Sequence, residues 1–520
     1  MFDAQLSAFV LIDSLPWLRL APPVVAISLA IALRDVNFAL LLATFAGCLL
    51  VTGLDFSAGV TTFCDVFVET LADTDHAAVI LFTVLLGAMI GLMNDSGGTT
   101  AVVNRMTRYA NTRPKGQILT WLCGLIVFFD DYANTMLIGG SMRPLADRLR
   151  ISRAKLAFLI DATAAPVAGL ALSTWTAFEI DQVTAGLAAA GVDADSGQVF
   201  FATIPYRLYP ILAILTVAAI ACSGRDFGAM LKAEQAAQTL DQSEQPTVPS
   251  IQTGSVWFAA IPVAVLVTVV VIGYLRDVDA YRLLLIASLG ASTVAVVLPL
   301  LSGRLNVTEA ARSWTEGITS MIPAVVVLIL AWAVSDVCRE GKLDTAGYII
   351  SLVGDSVQPE FLPAIAFLAA GAIAVSIGSS FTTMALLVPL FIPLAWTVLS
   401  GHAEGAPTVN HPVFLATVGA ILAGAIFGDH CSPISDTTVL SSAAAGCDHL
   451  QHVATQLPYA ILVAACSVLL GYLPIGFGIP WWISLPVSAM ACIGAILFLG
   501  QQTKTVTSEP GKLTAVETAD

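Results

Sequence analysis

Long apolar runs alternate with short polar interruptions from one end of the chain to the other. Each run is close to the ~20 residues that cross a bilayer as helix. The pattern predicts an all-α integral membrane protein with about eleven crossing helices and two re-entrant hairpins. The first run, near Leu20 to Leu33, has neither a basic leader nor a cleavage site, so it reads as a helix and not a signal peptide. Further spans are expected over Leu156 to Ala177, Phe200 to Cys222, Ser255 to Leu275, Tyr281 to Leu301 and Ile318 to Asp336. A last helix opens on the interfacial pair Trp481-Trp482 and ends near Leu499.

Basic residues orient these runs, because short loops rich in Lys and Arg stay cytoplasmic. Arg34 follows the first helix, which places the N-terminus outside. The segment Asp55 to His76 carries neither Lys nor Arg and should be an external loop. Arg105 to Lys115 and Arg143 to Lys155 mark two cytoplasmic loops around one segment, Gly116 to Met142, too short for two crossings. It therefore reads as a hairpin turning at Asp130 to Thr135. A second broken segment, Phe361 to Val398, is interrupted at Gly378 to Thr383 and should enter from the opposite face.

Opposed hairpins suggest an inverted repeat with helices broken at the midplane, an architecture of secondary transporters. Thr135-Met136 with Pro144 corresponds to Thr383-Met384 with Pro393, and Asp161 with Pro166 corresponds to Asp429 with Pro433. The chain then divides into a first transmembrane repeat over 1–222 and a flexible cytoplasmic linker over 223–254. A second, inverted repeat follows over 255–474, and an extra helix with a disordered cytoplasmic tail over 475–520.

Composition narrows the function. Apolar residues make up 57% of the chain and charged ones 11%, outside the range of soluble proteins. A net charge of −15 without a basic tract excludes nucleic acid as a partner. The nine cysteines lack C-x-x-C spacing and read as small buried hydrophobes. No phosphate-binding loop, H-E-x-x-H or G-x-S-x-G is present, so neither ATP hydrolysis nor these hydrolase chemistries are indicated and no cofactor is expected.

Four polar clusters interrupt hydrocarbon: Asp130 to Thr135, Asp161 to Thr163, Ser379 to Thr383 and Asp429 to Thr438. Polar groups at membrane depth cost several kcal/mol unless they pair or line a wet cavity, which makes an ion or substrate site the default reading. A buried polar knot joining helices is the alternative. The clusters are rich in carboxylate, hydroxyl and carbonyl oxygen, the ligands of small hard cations. Asp161 and Asp429 are the principal candidates for binding cation and proton, followed by Asp436, Asp130 and Asp131. Asn134, Thr135, Thr163, Ser380, Thr383, Ser432, Ser435 and Thr437 complete the oxygen set. Helices unwound around Pro166 and Pro433 would add main-chain carbonyls. Desolvation strengthens a carboxylate's hold on a proton and a nearby cation weakens it, so the two ions compete for one group. Arg207 is a candidate ion-pair partner of Asp161 or a binder of substrate carboxylate. Cys431 and His430 take supporting roles. His449 and His452 with Cys447 have no regular zinc spacing, and no metal beyond a transported one is expected.

The stretch Gly428 to Thr438, with Ser441-Ser442 and Thr455-Gln-Leu-Pro-Tyr459, resembles the signature of NhaC-type sodium/proton antiporters. Phe128 to Thr135, Arg143-Pro-Leu145 and Asp161 to Pro166 resemble the first-half pattern of the same family. The resemblance covers about Leu85 to Tyr459. It implies exchange of sodium for protons, with inverted repeats, paired re-entrant hairpins and an elevator-like movement against a dimeric scaffold in the bacterial inner membrane. Relatives associated with organic acids or amino acids keep a coupled carrier of a small carboxylate or amino acid as the alternative.

Overall fold

The computed structural model describes residues 14–502 apart from 34, 108–109, 240–253, 277, 279, 340, 354–356, 403–406 and 434. Helices α1 (Ala21–Leu33), α2 (Val36–Val51), α3 (Phe56–Ala72), α4 (Thr74–Asp95) and α5 (Gly98–Thr107) open the chain. Helices α6 (Arg113–Ile126) to α12 (Gly228–Thr239) follow: α7 is Asp131–Arg148, α8 Arg153–Ala168, α9 Thr174–Ala189, α10 Ser196–Thr203 and α11 Leu208–Ser223. Then come α13 (Trp257–Tyr274), α14 (Ala280–Leu301), α15 (Val307–Cys338), α16 (Thr345–Val353), α17 (Leu362–Ile377) and α18 (Ser380–His402). The chain ends on α19 (Pro412–Cys431), α20 (Asp436–Ala445), α21 (His449–Cys466) and α22 (Trp481–Leu499). Among the described residues, eight helices are long and apolar enough to cross a membrane. Large apolar side chains such as Met490 and Phe498 of α22 point outward, as a lipid-facing surface requires.

Two groups of helices pack side by side. In one, α1, α2 and α4 pack with α13, α14 and α15. The other holds the hairpins and broken helices. An arm α6, a tight turn over 127–130 and an arm α7 are followed by α8, a break over 169–173, and α9. Later, α17, a turn at Gly378 in the left-handed conformation, and α18 are followed by α19, a break over 432–435, and α20. The same order of elements thus occurs twice. Thr135 lies four residues into α7 and Thr383 three into α18, while Pro144 and Pro393 each lie thirteen residues in, so the sequence correspondence tracks element register.

Each break ends on a serine that caps the next helix, Ser173 for α9 and Ser435 for α20. Each hairpin bonds to the break region of its own half near its turn. Thr174 N donates to Phe129 O at 3.0 Å in the first half, and Ser432 Oγ donates to Val375 O at 2.9 Å in the second. Gly124 allows the first hairpin this close approach, because a Cβ there would overlap the Thr163 hydroxyl.

Three expectations change. The segment Asp55 to His76 is no loop: Asp55 caps α3 and Asp65 and Glu69 sit on its outer face, while its inner face buries Gly59, Val66 and Thr70. Its polarity came from an amphipathic stripe. The first helix break falls after Pro166: the helix carries that proline within its last turn, without the hydrogen bond its missing N–H would give, and ends only at Gly169. The linker is folded over its first part. There β1 (Arg225–Asp226) pairs with β2 (Gln501–Gln502), and Glu234 of α12 accepts from Ser152 N at 2.7 Å and pairs with Arg113. Its stretch 240–253 and the tail beyond 502 lie outside the described residues. Both arms of the second hairpin, α17 and α18, have the length and hydropathy of crossing helices.

Candidate functional site

Asp161 lies in the third turn of α8, fully buried, where the helix runs past α20 and α21. Its carboxylate accepts from Thr438 Oγ1 at 3.2 Å, Ser441 Oγ at 3.2 Å and Gln456 Nε2 at 2.6 Å. Thr438 and Ser441 belong to α20 and Gln456 to α21, so three helices meet on one carboxylate. Asp429 sits at the end of α19, which stops at Cys431 because Pro433 cannot continue it. Its two oxygens accept from Ser435 Oγ at 2.6 Å and Thr437 Oγ1 at 3.0 Å. Thr438 Oγ1 also lies 3.2 Å from Asp429 O. One hydroxyl therefore joins the surroundings of both acids. Gln456 Nε2 makes a second link, to His430 O at 3.0 Å.

The first hairpin closes the site from the other half. Asn134 Nδ2 faces three carbonyls, Gly124 O at 2.8 Å, Val127 O at 3.0 Å and Thr163 O at 3.0 Å. Asn134 Oδ1 is buried and has no hydrogen-bond partner, a vacant ligand on a side chain whose nitrogen holds the carbonyl of Thr163, two residues beyond Asp161. Asp130 caps α7 through Ala133 N at 2.6 Å and takes Thr174 Oγ1 at 3.1 Å, tying the hairpin to the break. Asp131 and Thr135 are buried beside it. The second hairpin contributes Ser380, whose hydroxyl donates to Ala425 O at 3.2 Å. Phe381 packs on Trp175 and Phe178 of α9, 4.8 Å between ring centroids in each case, so the two halves interlock.

Several sequence candidates serve the backbone in this state. Thr163 Oγ1 donates to Leu159 O at 2.8 Å, Thr383 Oγ1 to Ser379 O at 2.9 Å and Ser432 to Val375. Asp436 opens α20, and its side chain lies outside the described residues. His430 is buried, with Nδ1 3.0 Å from Tyr209 OH and Nε2 without a partner. Arg207 does not reach Asp161. It is fully buried, pairs with Glu179 at 2.6 Å, donates to Gly169 O and lies 3.2 Å from Thr203 Oγ1. The break after Ala168 exposes the carbonyl of Gly169, and the guanidinium satisfies it.

Sequence reading passed over Thr438, Ser441 and Gln456 as ligands of Asp161, and Tyr209 and Glu179 as partners. The first three stood inside the quoted motifs but looked like ordinary helix residues. We expect Thr438→Val, which keeps shape and removes the shared hydroxyl, to raise the apparent KM for the transported cation about tenfold, since a hydrogen bond to a charged group contributes ~1.5–3 kcal/mol. Initial rates against cation concentration in vesicles give the value.

Comparison with known proteins places this arrangement. A family model described as the Na+/H+ antiporter family matches residues 167–477. The chain belongs to the Na+/H+ antiporter family. A full-length relative of this antiporter-family chain, an "Uncharacterized protein" of Haemophilus influenzae, is 30% identical over 92% of this chain and 95% of its own length. An "Uncharacterized Na(+)/H(+) antiporter" of the same organism is 30% identical over 40% of this chain and 42% of its own. In fold, the antiporter-family chain resembles the YdaH transporter of Alcanivorax borkumensis, with a TM-score of 0.61 at 16% identity over 88% of this chain and 99% of that one. It is a multi-pass membrane transporter.

Proposed function

We propose that the protein exchanges sodium, or another small monovalent cation, for protons across the bacterial inner membrane. The observation that carries this is the meeting of the Asp161 carboxylate and the Asp429 main-chain carbonyl at the Thr438 hydroxyl, beside the unpartnered oxygen of Asn134 on α7, whose amide nitrogen holds Thr163 O of α8. A small cation needs several hard oxygens at once. Carboxylate, hydroxyl and amide oxygens from both repeats supply them here, at the broken helices.

Exchange follows from competition. With Asp161 deprotonated, the carboxylate binds the cation. When a proton takes the carboxylate, the charge that holds the cation disappears and the cation leaves. Alternating access requires the site to face each side in turn, and the two helix groups offer a surface for that. A cavity of about 410 Å³ lies between them, lined by His76 of α4, Trp332 and Asp336 of α15, Ala185 of α9 and Pro389 of α18. The second repeat is inverted relative to the first, and the group of α1, α2, α4 and α13 to α15 is the scaffold, held in a homodimer, against which the hairpin group moves. The N-terminus lies outside, and Arg143, Arg148, Arg150 and Arg153 face the cytoplasm.

Arg207 is engaged by Glu179 and the Gly169 carbonyl, so it offers little to a substrate carboxylate. Everted vesicles holding a pH gradient test the assignment. Collapse of the gradient by Na+ or Li+ alone supports exchange. Collapse only on adding an organic acid or amino acid would replace it with a coupled carrier.

A further inference from the structure

His449, His452 and Gln456 stand at positions i, i+3 and i+7 of α21 and share one face of that helix. Cation–proton exchange as proposed above leaves both histidines without a task. Their side chains, with Ser442 of α20, form a line that ends at Asp161. His452 Nε2 lies 3.9 Å from Asp161 Oδ2 and 3.0 Å from Gln456 Oε1. His452 Nδ1 lies 2.9 Å from Ser442 Oγ, and Ser442 Oγ lies 3.1 Å from His449 Nδ1. His449 Nε2 meets Pro433 O at 2.6 Å. His452 and Ser442 are buried, whereas His449 is partly exposed. The exposed end lies on the basic face, where Arg153 donates to Ala445 O at 2.8 Å and Arg143 crowds Gly446.

We infer that His449, Ser442 and His452 form the path by which protons pass between the solvent on the basic face and Asp161. A proton from water makes His449 an imidazolium, which donates from Nε2 to Pro433 O and from Nδ1 to Ser442 Oγ. The Ser442 hydroxyl, which donates to Thr438 O at 2.7 Å, turns to His452 Nδ1, and Ser442 takes the His449 Nδ1 proton as its own passes to His452. His449 is then neutral, Ser442 is unchanged in composition and His452 carries the charge. His452 leaves Gln456 Oε1 and gives its Nε2 proton to Asp161 Oδ2, so a neutral carboxyl and a neutral imidazole remain. The 3.9 Å gap exceeds hydrogen-bond reach, so this last transfer requires the ring to move. Asp161 of α8 and His430 of α19 face His452 from neighbouring helices. Asp448 caps its own helix, and Arg153 lies beside Cys447 just before it. Asp161, the carboxylate in direct reach, draws the proton inward. Gln456 holds Asp161 and His452 in register without itself carrying charge.

The relay rests on the exchange reading, and the test separates the two. The full-length protein in liposomes is assayed for sodium-driven proton movement with an internal pH dye. It is also assayed for exchange of radiolabelled sodium against sodium at equal pH, which needs no net proton transfer. His452→Gln and His449→Ala are expected to slow proton movement about tenfold or more, as removal of a positioned proton carrier does. Both are expected to leave sodium–sodium exchange at the wild-type rate. Imidazole in the medium should restore His449→Ala, which is open to solvent, and not His452→Gln. Wild-type proton movement in either variant overturns the relay. So does parallel loss of both activities, which would mark a structural role. Absence of sodium-driven proton movement in the wild type is a distinct result; it removes the exchange reading and the relay with it.

Discussion

Asp161→Asn abolishes cation-driven proton movement, by at least ~100-fold, which at 1.36 kcal/mol per tenfold is about 2.7 kcal/mol. The side chain keeps its size and place but can no longer give up a proton or offer a full negative charge to a cation. The change also disturbs its surroundings. Thr438, Ser441 and Gln456 all donate to the carboxylate. An amide presents a donor to at least one of them, and the nearest, Gln456 Nε2 at 2.6 Å, has little room to withdraw while it holds His430 O. A lost buried hydrogen bond costs ~1–3 kcal/mol, so modest thermal destabilisation should accompany the loss of transport. Dye-reported proton flux in liposomes, with a melting curve in detergent, separates the two effects. Wild-type flux in Asp161→Asn would remove Asp161 from the exchange.

The second large effect concerns stability. Arg207→Met should destabilise the protein by about 3–5 kcal/mol, because Glu179 is left as an uncompensated buried charge. Glu179 is 1% exposed, and its Oε1 already has no partner. Arg207 also sits where the bent pair Ser196–Tyr206 and Leu208–Ser223 turns by 44°, and it holds the Gly169 carbonyl at the break between α8 and α9. Losing it loosens two irregular stretches together. The double variant Arg207→Met with Glu179→Met removes both charges and should recover most of the stability. The double variant should also retain sodium-driven proton movement, which a cargo-binding Arg207 would forbid. Melting temperature and flux on the same preparations decide both points.

The polar interruptions were legible because lipid forbids them without purpose. Asp130 to Thr135, Asp161 to Thr163 and Asp429 to Thr438 gave the hairpin, the acids and the second break before any geometry was known. The register of Thr135 and Pro144 against Thr383 and Pro393 was legible too, since proline and hydroxyl positions mark how far a helix has run. What remained hidden depended on which helix faces which. Nothing in Thr438, Ser441 and Gln456 distinguishes them from residues bonding their own backbone, so only the packing of α20 and α21 against α8 shows them as donors to Asp161. Arg207 was read as a partner for the nearest conspicuous carboxylate, and its true partner, Glu179, stood unremarked inside an apolar stretch. Asp161 lies seven residues before the end of α8 and Asp429 two before the end of α19, so their apparent equivalence was a likeness of composition and not of position. The acidic stretch before His76 misled because the polar stripe of this amphipathic helix carries acidic and no basic residues, the same composition an external loop would have.

The central claim is that one pocket holds either cation or proton and never both. Sodium added to the purified protein in a weakly buffered detergent solution tests it, with the released proton read by a pH electrode. The account predicts an acid pulse on sodium addition in the wild type and none in Asp161→Asn. Sodium binding without any pulse across the pH range, or an undiminished pulse from Asp161→Asn, would contradict it.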